Sequence, residues 1–241
     1  MNDSVRLIVT SFLAAVAAMT LASCNNTAVG VRTALDVPAM GSTGRGAIVN
    51  SDFSTGTSYG LAFESDLNSS VRGRIETSLR FASSRSELGT IQGNANNPRP
   101  ISGFLDAHYQ LIDVPLIASY QVRVSDLVTP FFGFGGLISF GRSLTWNSQY
   151  SAWSLNDNNE WYRYSVTDEH VQGALQTGVS ALVSIGTSVH LTRSIDAQFD
   201  VRLTHRLTNP SVEARWASVQ IEELFLPITH VIFGGGIMIR L

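Results

Sequence analysis

The sequence predicts an all-β protein, an eight-stranded antiparallel up-and-down transmembrane β-barrel. Three features of the chain carry this prediction. Apolar and polar residues alternate with a period of two in eight segments, most of them about ten residues long or longer, the length of a tilted strand that crosses a bilayer. Short and long connections between these segments alternate along the chain. An export signal precedes the first segment, so the strands are expected beyond the inner membrane.

The amino terminus has the features of a secretory signal peptide over residues 1–23. An uncharged apolar run follows Arg6 and ends in small residues, as such peptides do. The sequence Leu-Ala-Ser at 21–23, directly before Cys24, resembles the bacterial lipobox, in which the cysteine is acylated and becomes the mature amino terminus. Ordinary cleavage near Cys24 is the alternative, and either route exports the chain.

Cys24 is the only cysteine in the sequence, so the chain cannot form an internal disulfide. We assign residues 24–28 to a short linker and residues 29–241 to the barrel. An even number of strands places both ends of the barrel on the periplasmic side. A lipid on Cys24 would therefore lie close to the inner leaflet of the membrane.

The period-two segments are clearest in "IDAQFDVRLTHRL", which begins at Ile195. Its odd-numbered residues from 195 to 203 are apolar, and most of the residues between them are charged or polar. Seven other segments follow the same pattern. The eight begin near Val29, Ser58, Val71, Leu111, Thr129, Val171, Ile195 and His230.

The connections divide into two classes that alternate along the chain. Three are short, and we place them at 67–70, 123–127 and 188–193. Four are long, and we place them at 38–56, 84–103, 143–168 and 208–227. Tight turns on the periplasmic side and long loops on the outer side are typical of outer-membrane barrels.

The polar faces of the strands carry balanced charges, which we expect to form an ion-pair network in the lumen. Small and uncharged polar residues separate these charges, and a narrow interior favours that composition. The predicted network comprises Arg32, Asp36, Glu64, Arg72, Arg74, Glu76, Arg80, Asp113, Asp196, Asp200, Arg202, Arg206 and Arg240. The opposite faces carry aromatic residues suited to lipid. They are Tyr59, Phe63, Phe81, Tyr120, Phe132, Phe134, Phe140 and Phe233. The reverse arrangement would give a soluble, lipid-anchored, lipocalin-like calyx.

Two stretches carry a family resemblance. "LIDVPLIASYQV" with "VTPFFGFGGLISFG" resembles the core of the porin-like outer-membrane β-barrel family, that is, the eight-stranded outer membrane protein β-barrel domain. "SIDAQFDVRLTHRLTNP" resembles the penultimate strand of that family and the loop after it. The resemblance covers about residues 29–241, and Leu241 stands where a terminal phenylalanine is commoner. It implies the fold and a location in the cell outer membrane of a Gram-negative bacterium, and it implies no particular activity.

The sequence offers no catalytic residue and no cofactor or metal site. All 16 basic residues other than histidine are arginine, so P-loop and Schiff-base lysines are excluded. His205 is followed two places later by Leu207, where a lipid A deacylase of this architecture has serine. No set of histidines and acids has metal-ligand spacing. We therefore predict a non-enzyme, with a lipid A-modifying hydrolase as the alternative.

Aromatic residues are concentrated in the third long connection. They are Trp146, Tyr150, Trp153, Trp161, Tyr162 and Tyr164. Amphipathic rings of this kind mark recognition surfaces and membrane interfaces, so they form either a binding surface or part of an aromatic girdle.

We interpret the chain as a monomeric barrel with a side-chain-filled lumen, acting structurally or through its outer loops. Its expected partners are outer-membrane lipids, the barrel assembly machinery and an extracellular ligand that the sequence does not identify. Interspersed charges and a net charge of −3 do not indicate nucleic-acid binding. A narrow channel for small solutes, a lipid-modifying enzyme and the soluble calyx are the alternatives.

Overall fold

The protein is described here from a computed structural model. The described residues are 27–40, 48–88, 101–155, 158–175, 177–208, 211–216, 219–223 and 228–241. The predicted signal peptide and Cys24 lie outside them. Strand structure begins at Thr27, so the last two residues of the predicted linker belong to the first strand. None of the described residues forms a helix with the length and hydropathy needed to cross a membrane.

Alternating side chains and β-branched or aromatic residues favour extended backbone, and the described residues form twelve strand segments. They are β1 (Thr27–Met40), β2 (Ile48–Phe53), β3 (Gly56–Asp66), β4 (Val71–Leu88), β5 (Ile101–Gln121), β6 (Val128–Leu155), β7 (Trp161–Leu175), β8 (Gly178–His190), β9 (Ile195–Arg206), β10 (Ser211–Trp216), β11 (Val219–Glu223) and β12 (Thr229–Arg240).

Eight of these strands close into a barrel, which confirms the predicted fold class. The order around the barrel is β1, β3, β4, β5, β6, β8, β9 and β12, and β12 pairs with β1. Every neighbouring pair is antiparallel. The other four segments extend the sheet past one end of the barrel, where β2 pairs with β4 and β7 pairs with β6.

Three tight turns occupy one end of the barrel, which we call the turn end. They span 67–70, 122–127 and 191–194, and side-chain oxygens of Asn68, Ser125 and Thr192 accept hydrogen bonds from backbone amides within them. Such local bonds stabilise short reversals of the chain. The third turn begins later than predicted because β8 continues to His190.

At the opposite end, the segments predicted as long loops contain much strand. Residues 144–155 of β6 pair with 161–173 of β7, so the predicted connection at 143–168 is largely a β-hairpin. That prediction of a loop is wrong because the backbone groups of the two arms hydrogen-bond to each other. The pairing of β5 with β6 shifts register at Gln110, leaving Arg142 as an extra residue on β6. A bulge of this kind reverses which side chains point inward.

The two faces of the barrel have opposite chemistry. Phe134, Ile185 and Phe199 are 65%, 64% and 57% exposed on the outer face, whereas Asp200 and Arg202 on the inner face are buried. Phe63 has the outward parity predicted for it, shared with the exposed Leu61, and it is nevertheless buried. An apolar exterior around a charged interior is the reverse of a soluble calyx, whose apolar residues line the inside.

Candidate functional site

Seven inward side chains from four strands form what we call the central cluster. Its members are Arg32, Glu64, Arg74, Glu76, Gln198, Asp200 and Arg202. All are buried, and three arginines face three acids. Because the charges balance within the cluster, the barrel can enclose it without leaving a charge uncompensated.

Arg202 makes the best-formed ion pair of the central cluster. Its Nη1 and Nη2 each donate to one carboxylate oxygen of Glu76 at 2.6 Å. Its Nη2 also donates to Asp200 at 2.8 Å, and Arg32 donates to the other oxygen of Asp200 at 2.7 Å. A two-pronged arginine–carboxylate contact combines charge with directional hydrogen bonds. It therefore links β9 to β4 across the lumen.

Gln198 contacts both acidic and basic members of the central cluster. Its amide nitrogen donates to Glu64 at 2.9 Å, and its oxygen accepts from Arg74 at 2.8 Å and from Arg32 at 3.3 Å. Arg74 also contacts Glu64 and donates to Asp200 at 3.0 Å. An uncharged amide can bridge acid and base at once because it carries both a donor and an acceptor.

A second group, the upper cluster, lies nearer the outer end and contains Asp36, Arg80, Asp113 and His230. Arg80 donates to Asp36 at 2.6 Å and lies 2.8 Å from Asp113. Nδ1 of His230 lies 2.8 Å from the other oxygen of Asp36. These contacts connect β1, β4, β5 and β12 across the lumen.

A third group, the lower cluster, lies at the turn end. Arg72 donates to Asp66 at 2.7 Å and to Glu64 at 3.1 Å. Arg240 donates to Asp196 at 2.9 Å. Asp196 also lies 2.8 Å from Nδ1 of His190. The lower cluster therefore links β3 to β4 and, separately, β8, β9 and β12 beside the turns.

The structure brings twelve of the thirteen predicted lumen residues into these three clusters, and Arg206 lies half-buried at the outer end of β9. Sequence reasoning places Asp66 on the polar face but did not assign His190, Gln198 or His230 to the network. Strand parity carried the signal, because Gln198 stands between Asp196 and Asp200 on the same face.

The glycine run in β12 makes room for Arg32. A Cβ on Gly236, which faces inward, would lie 2.5 Å from the carbonyl oxygen of Val31 and 2.7 Å from Cγ of Arg32. A Cβ on Gly235 would meet Phe199 at an ordinary 3.6 Å. The glycines therefore allow a long arginine to cross the barrel at this level.

We expect Gly236→Ala to destabilise the barrel by about 1–3 kcal/mol, the usual cost of forcing an extra methyl into a filled site. Gly235→Ala is the matched control, one residue away and on the outer face, and its effect should be much smaller. Urea midpoints of the proteins refolded into detergent micelles measure both. Equal midpoints for the two variants would contradict this account of the glycine run.

Apolar side chains from the opposite wall complete the filling of the lumen. Ile117, Leu137 and Leu182 form a buried cluster on β5, β6 and β8. The guanidinium of Arg74 lies over the ring of Phe131, with 5.1 Å between its carbon and the ring centroid. A cavity of about 30 Å³ remains between the central and upper clusters, about the volume that one liquid water occupies. Side chains therefore fill most of the lumen at this level.

Trp146, which the sequence offers either for a binding surface or for an aromatic girdle, is buried. It is 0% exposed, and it lies opposite Ala107 in the extended sheet. The bulge at Arg142 explains this burial, because it reverses the parity of the residues that follow. Tyr162 is 46% exposed. The other four predicted aromatics lie on β6 and β7, and their side chains lie outside the described part. They are Tyr150, Trp153, Trp161 and Tyr164.

The described histidines do not form a metal site with neighbouring acids. Within the described ranges, no group of three or more histidine, cysteine or acidic side chains could hold a metal ion. His205 is exposed, and its Nδ1 lies 3.1 Å from the hydroxyl of Thr229.

No family model and no curated protein matches the chain. Among solved structures, the outer membrane protein OprG from Pseudomonas aeruginosa has a TM-score of 0.58 at 10% identity, covering 90% of this chain and 95% of that one. Neisserial surface protein A covers 90% and 96% at 13% identity, with a TM-score of 0.39. Ail of Yersinia pestis covers 90% and 97% at 7% identity, with a TM-score of 0.37. The likeness to OprG shows that this chain shares its barrel fold.

Proposed function

We propose that this chain is an outer-membrane β-barrel protein with a plugged lumen, and that it acts structurally or through the β-hairpins beyond its outer end. The observation that carries the proposal is the apolar outer face. Ile185, Phe134 and Phe199 are more than half exposed on a barrel whose charges lie inside. Exposed apolar surface of this extent is unfavourable in water and favourable in lipid.

The porin-like family resemblance belongs to the same proposal, since it implies the same location. The largely filled lumen supports a structural or interaction role over a channel. Outer-membrane lipids and the barrel assembly machinery are the partners that such a barrel requires. The extended sheet at the outer end offers a surface for an extracellular ligand, with Tyr162 exposed on it.

Adjacent cysteines on β8 test the proposal, since Ser184 is 1% exposed on the inner face and Ile185 is 64% exposed on the outer face. In a Cys24→Ser background, a fluorophore on Ile185→Cys should be strongly quenched by brominated lipids. The thiol of Ser184→Cys should stay unlabelled until the barrel is heat-denatured. A fluorophore at 185 that brominated lipid leaves unquenched would rule out a lipid-facing surface.

Acylation of Cys24 is a separate part of the proposal. Metabolic palmitate labelling should mark the wild-type protein and not Cys24→Ser, while both proteins insert. A complete belt of apolar side chains holds the barrel in lipid, so one anchor adds little to its insertion. Absence of label from both proteins would favour ordinary signal cleavage.

A further inference from the structure

A pocket of about 450 Å³ opens at the turn end of the barrel. The lower cluster forms its floor, and the three turns form its rim with Ser69, Arg123, Thr192 and Arg193. Pockets of this size hold small molecules. Four arginines line it, each from a different strand or turn: Arg72, Arg123, Arg193 and Arg240.

The acids in the pocket are largely occupied by the protein. Glu64 accepts hydrogen bonds on both oxygens from Arg72, Arg74 and Gln198. Both oxygens of Asp196 contact Arg240, and one also contacts His190. One oxygen of Asp66 accepts from Arg72, and one oxygen of Asp126 accepts from Arg123 on the rim. The carboxylates therefore hold the arginines in place and offer few sites to a ligand.

The arginines, in contrast, keep unused donors. Arg72 bonds through Nε and Nη1, and Arg240 bonds through Nε and Nη2. The remaining nitrogens, Nη2 of Arg72 and Nη1 of Arg240, have no partner among the described residues. The guanidinium of Arg193 likewise has none within that part of the chain. The lining as a whole carries four arginines and four acids. At the rim two arginines stand against one acid, Asp126, so the positive excess lies at the mouth of the pocket.

His190 closes one wall of the pocket. Its Nδ1 faces Asp196, and its Nε2 lies 3.0 Å from the hydroxyl of Thr129. Nδ1 also lies 2.7 Å from Nη2 of Arg240. Both ring nitrogens are therefore engaged, which fixes the orientation of the ring and of Arg240 beside it. Donors that the protein already holds in place bind an oxyanion with less loss of side-chain freedom.

We propose that this pocket binds a soluble phosphate monoester of small-molecule size. Arginine donors and the hydroxyls of Ser69 and Thr192 approach from several sides, an arrangement that suits a tetrahedral group with three terminal oxygens. A carboxylate offers two oxygens in one plane and would leave donors unused. The pocket opens within the ring of turns, so a soluble ligand reaches it more directly than a lipid headgroup does.

Calorimetry on the folded full-length barrel in detergent tests the proposal with sn-glycerol 3-phosphate as the probe. Saturable binding to one site should weaken by about tenfold or more in Arg193→Gln and in Arg123→Gln, since each loses a charge-assisted contact. These two side chains lie on exposed turns, outside the packed lumen. Arg142→Gln, an exposed arginine at the far end, is the matched control and should bind as the wild type does.

Four results would overturn the proposal. The first is the absence of saturable heat, and the second is an equal loss of affinity in Arg142→Gln, which would indicate non-specific charge attraction. The third is succinate binding as tightly as glycerol phosphate at equal ionic strength, which would indicate a carboxylate pocket. The fourth is affinity that falls about tenfold in phosphatidylglycerol nanodiscs relative to phosphatidylcholine nanodiscs at about 1 M salt, where repulsion of the probe by the anionic surface is screened, because a lipid headgroup would then occupy the pocket.

Discussion

Replacing Arg202 by methionine lowers the free energy of unfolding of the barrel by about 3–5 kcal/mol. The change removes the two hydrogen bonds that Glu76 accepts at 2.6 Å and leaves Arg32 as the nearest cation, at 3.2 Å. The central cluster then holds three buried acids against two arginines, and an uncompensated buried charge carries a cost of this size. Urea unfolding of the protein refolded in detergent measures the effect. The matched control is Arg123→Met in the exposed turn, where the partner Asp126 is 95% exposed. An exposed pair contributes about 0–1 kcal/mol.

The double variant Arg202→Met, Glu76→Leu separates the unpaired charge from the loss of packing. Because it removes both partners, it should recover much of the stability lost in Arg202→Met. Two results would contradict a buried network. One is equal stability of Arg202→Met and Arg123→Met. The other is a loss of stability in the double variant equal to the sum of the losses in Arg202→Met alone and Glu76→Leu alone.

Replacing Ile185 by arginine destabilises the membrane-inserted barrel by about 2–4 kcal/mol, the cost of a cationic side chain at the lipid-facing midplane. Ile185 lies on β8 and is 64% exposed. Leu191, six residues later in the turn that follows β8, is 55% exposed. Leu191→Arg is therefore the matched control, since charge near the interface costs about 0–1 kcal/mol.

Urea titration of the proteins in lipid vesicles gives the unfolding midpoint of each variant. The comparison separates a membrane surface from a water-facing one, because arginine at two water-exposed positions would have similar small effects. Equal midpoints for Ile185→Arg and Leu191→Arg would therefore contradict the assignment of this face to lipid.

The sequence by itself determined the fold class and the facing of most side chains. Period-two alternation along β9 places Phe199 and Val201 outside and Asp200 and Arg202 inside, and the structure has them so. The reason is local, since successive side chains of an extended strand point to opposite faces. The positions of the three short connections also followed from the ends of the alternating segments, although the third turn begins at Leu191 and not at 188.

Only the tertiary structure decided which charges meet. Arg202 and Glu76 are separated by 126 residues, and their pairing depends on strand register and closure of the barrel, which alternation does not specify. Gln198 became the bridge of the central cluster for the same reason. The bulge at Arg142 turned Trp146 inward, and pairing between β6 and β7 converted a predicted loop into a hairpin. The charge contacts form only when the barrel closes, whereas the bulge and the hairpin depend on how consecutive strands pair. Alternation along a single strand specifies neither.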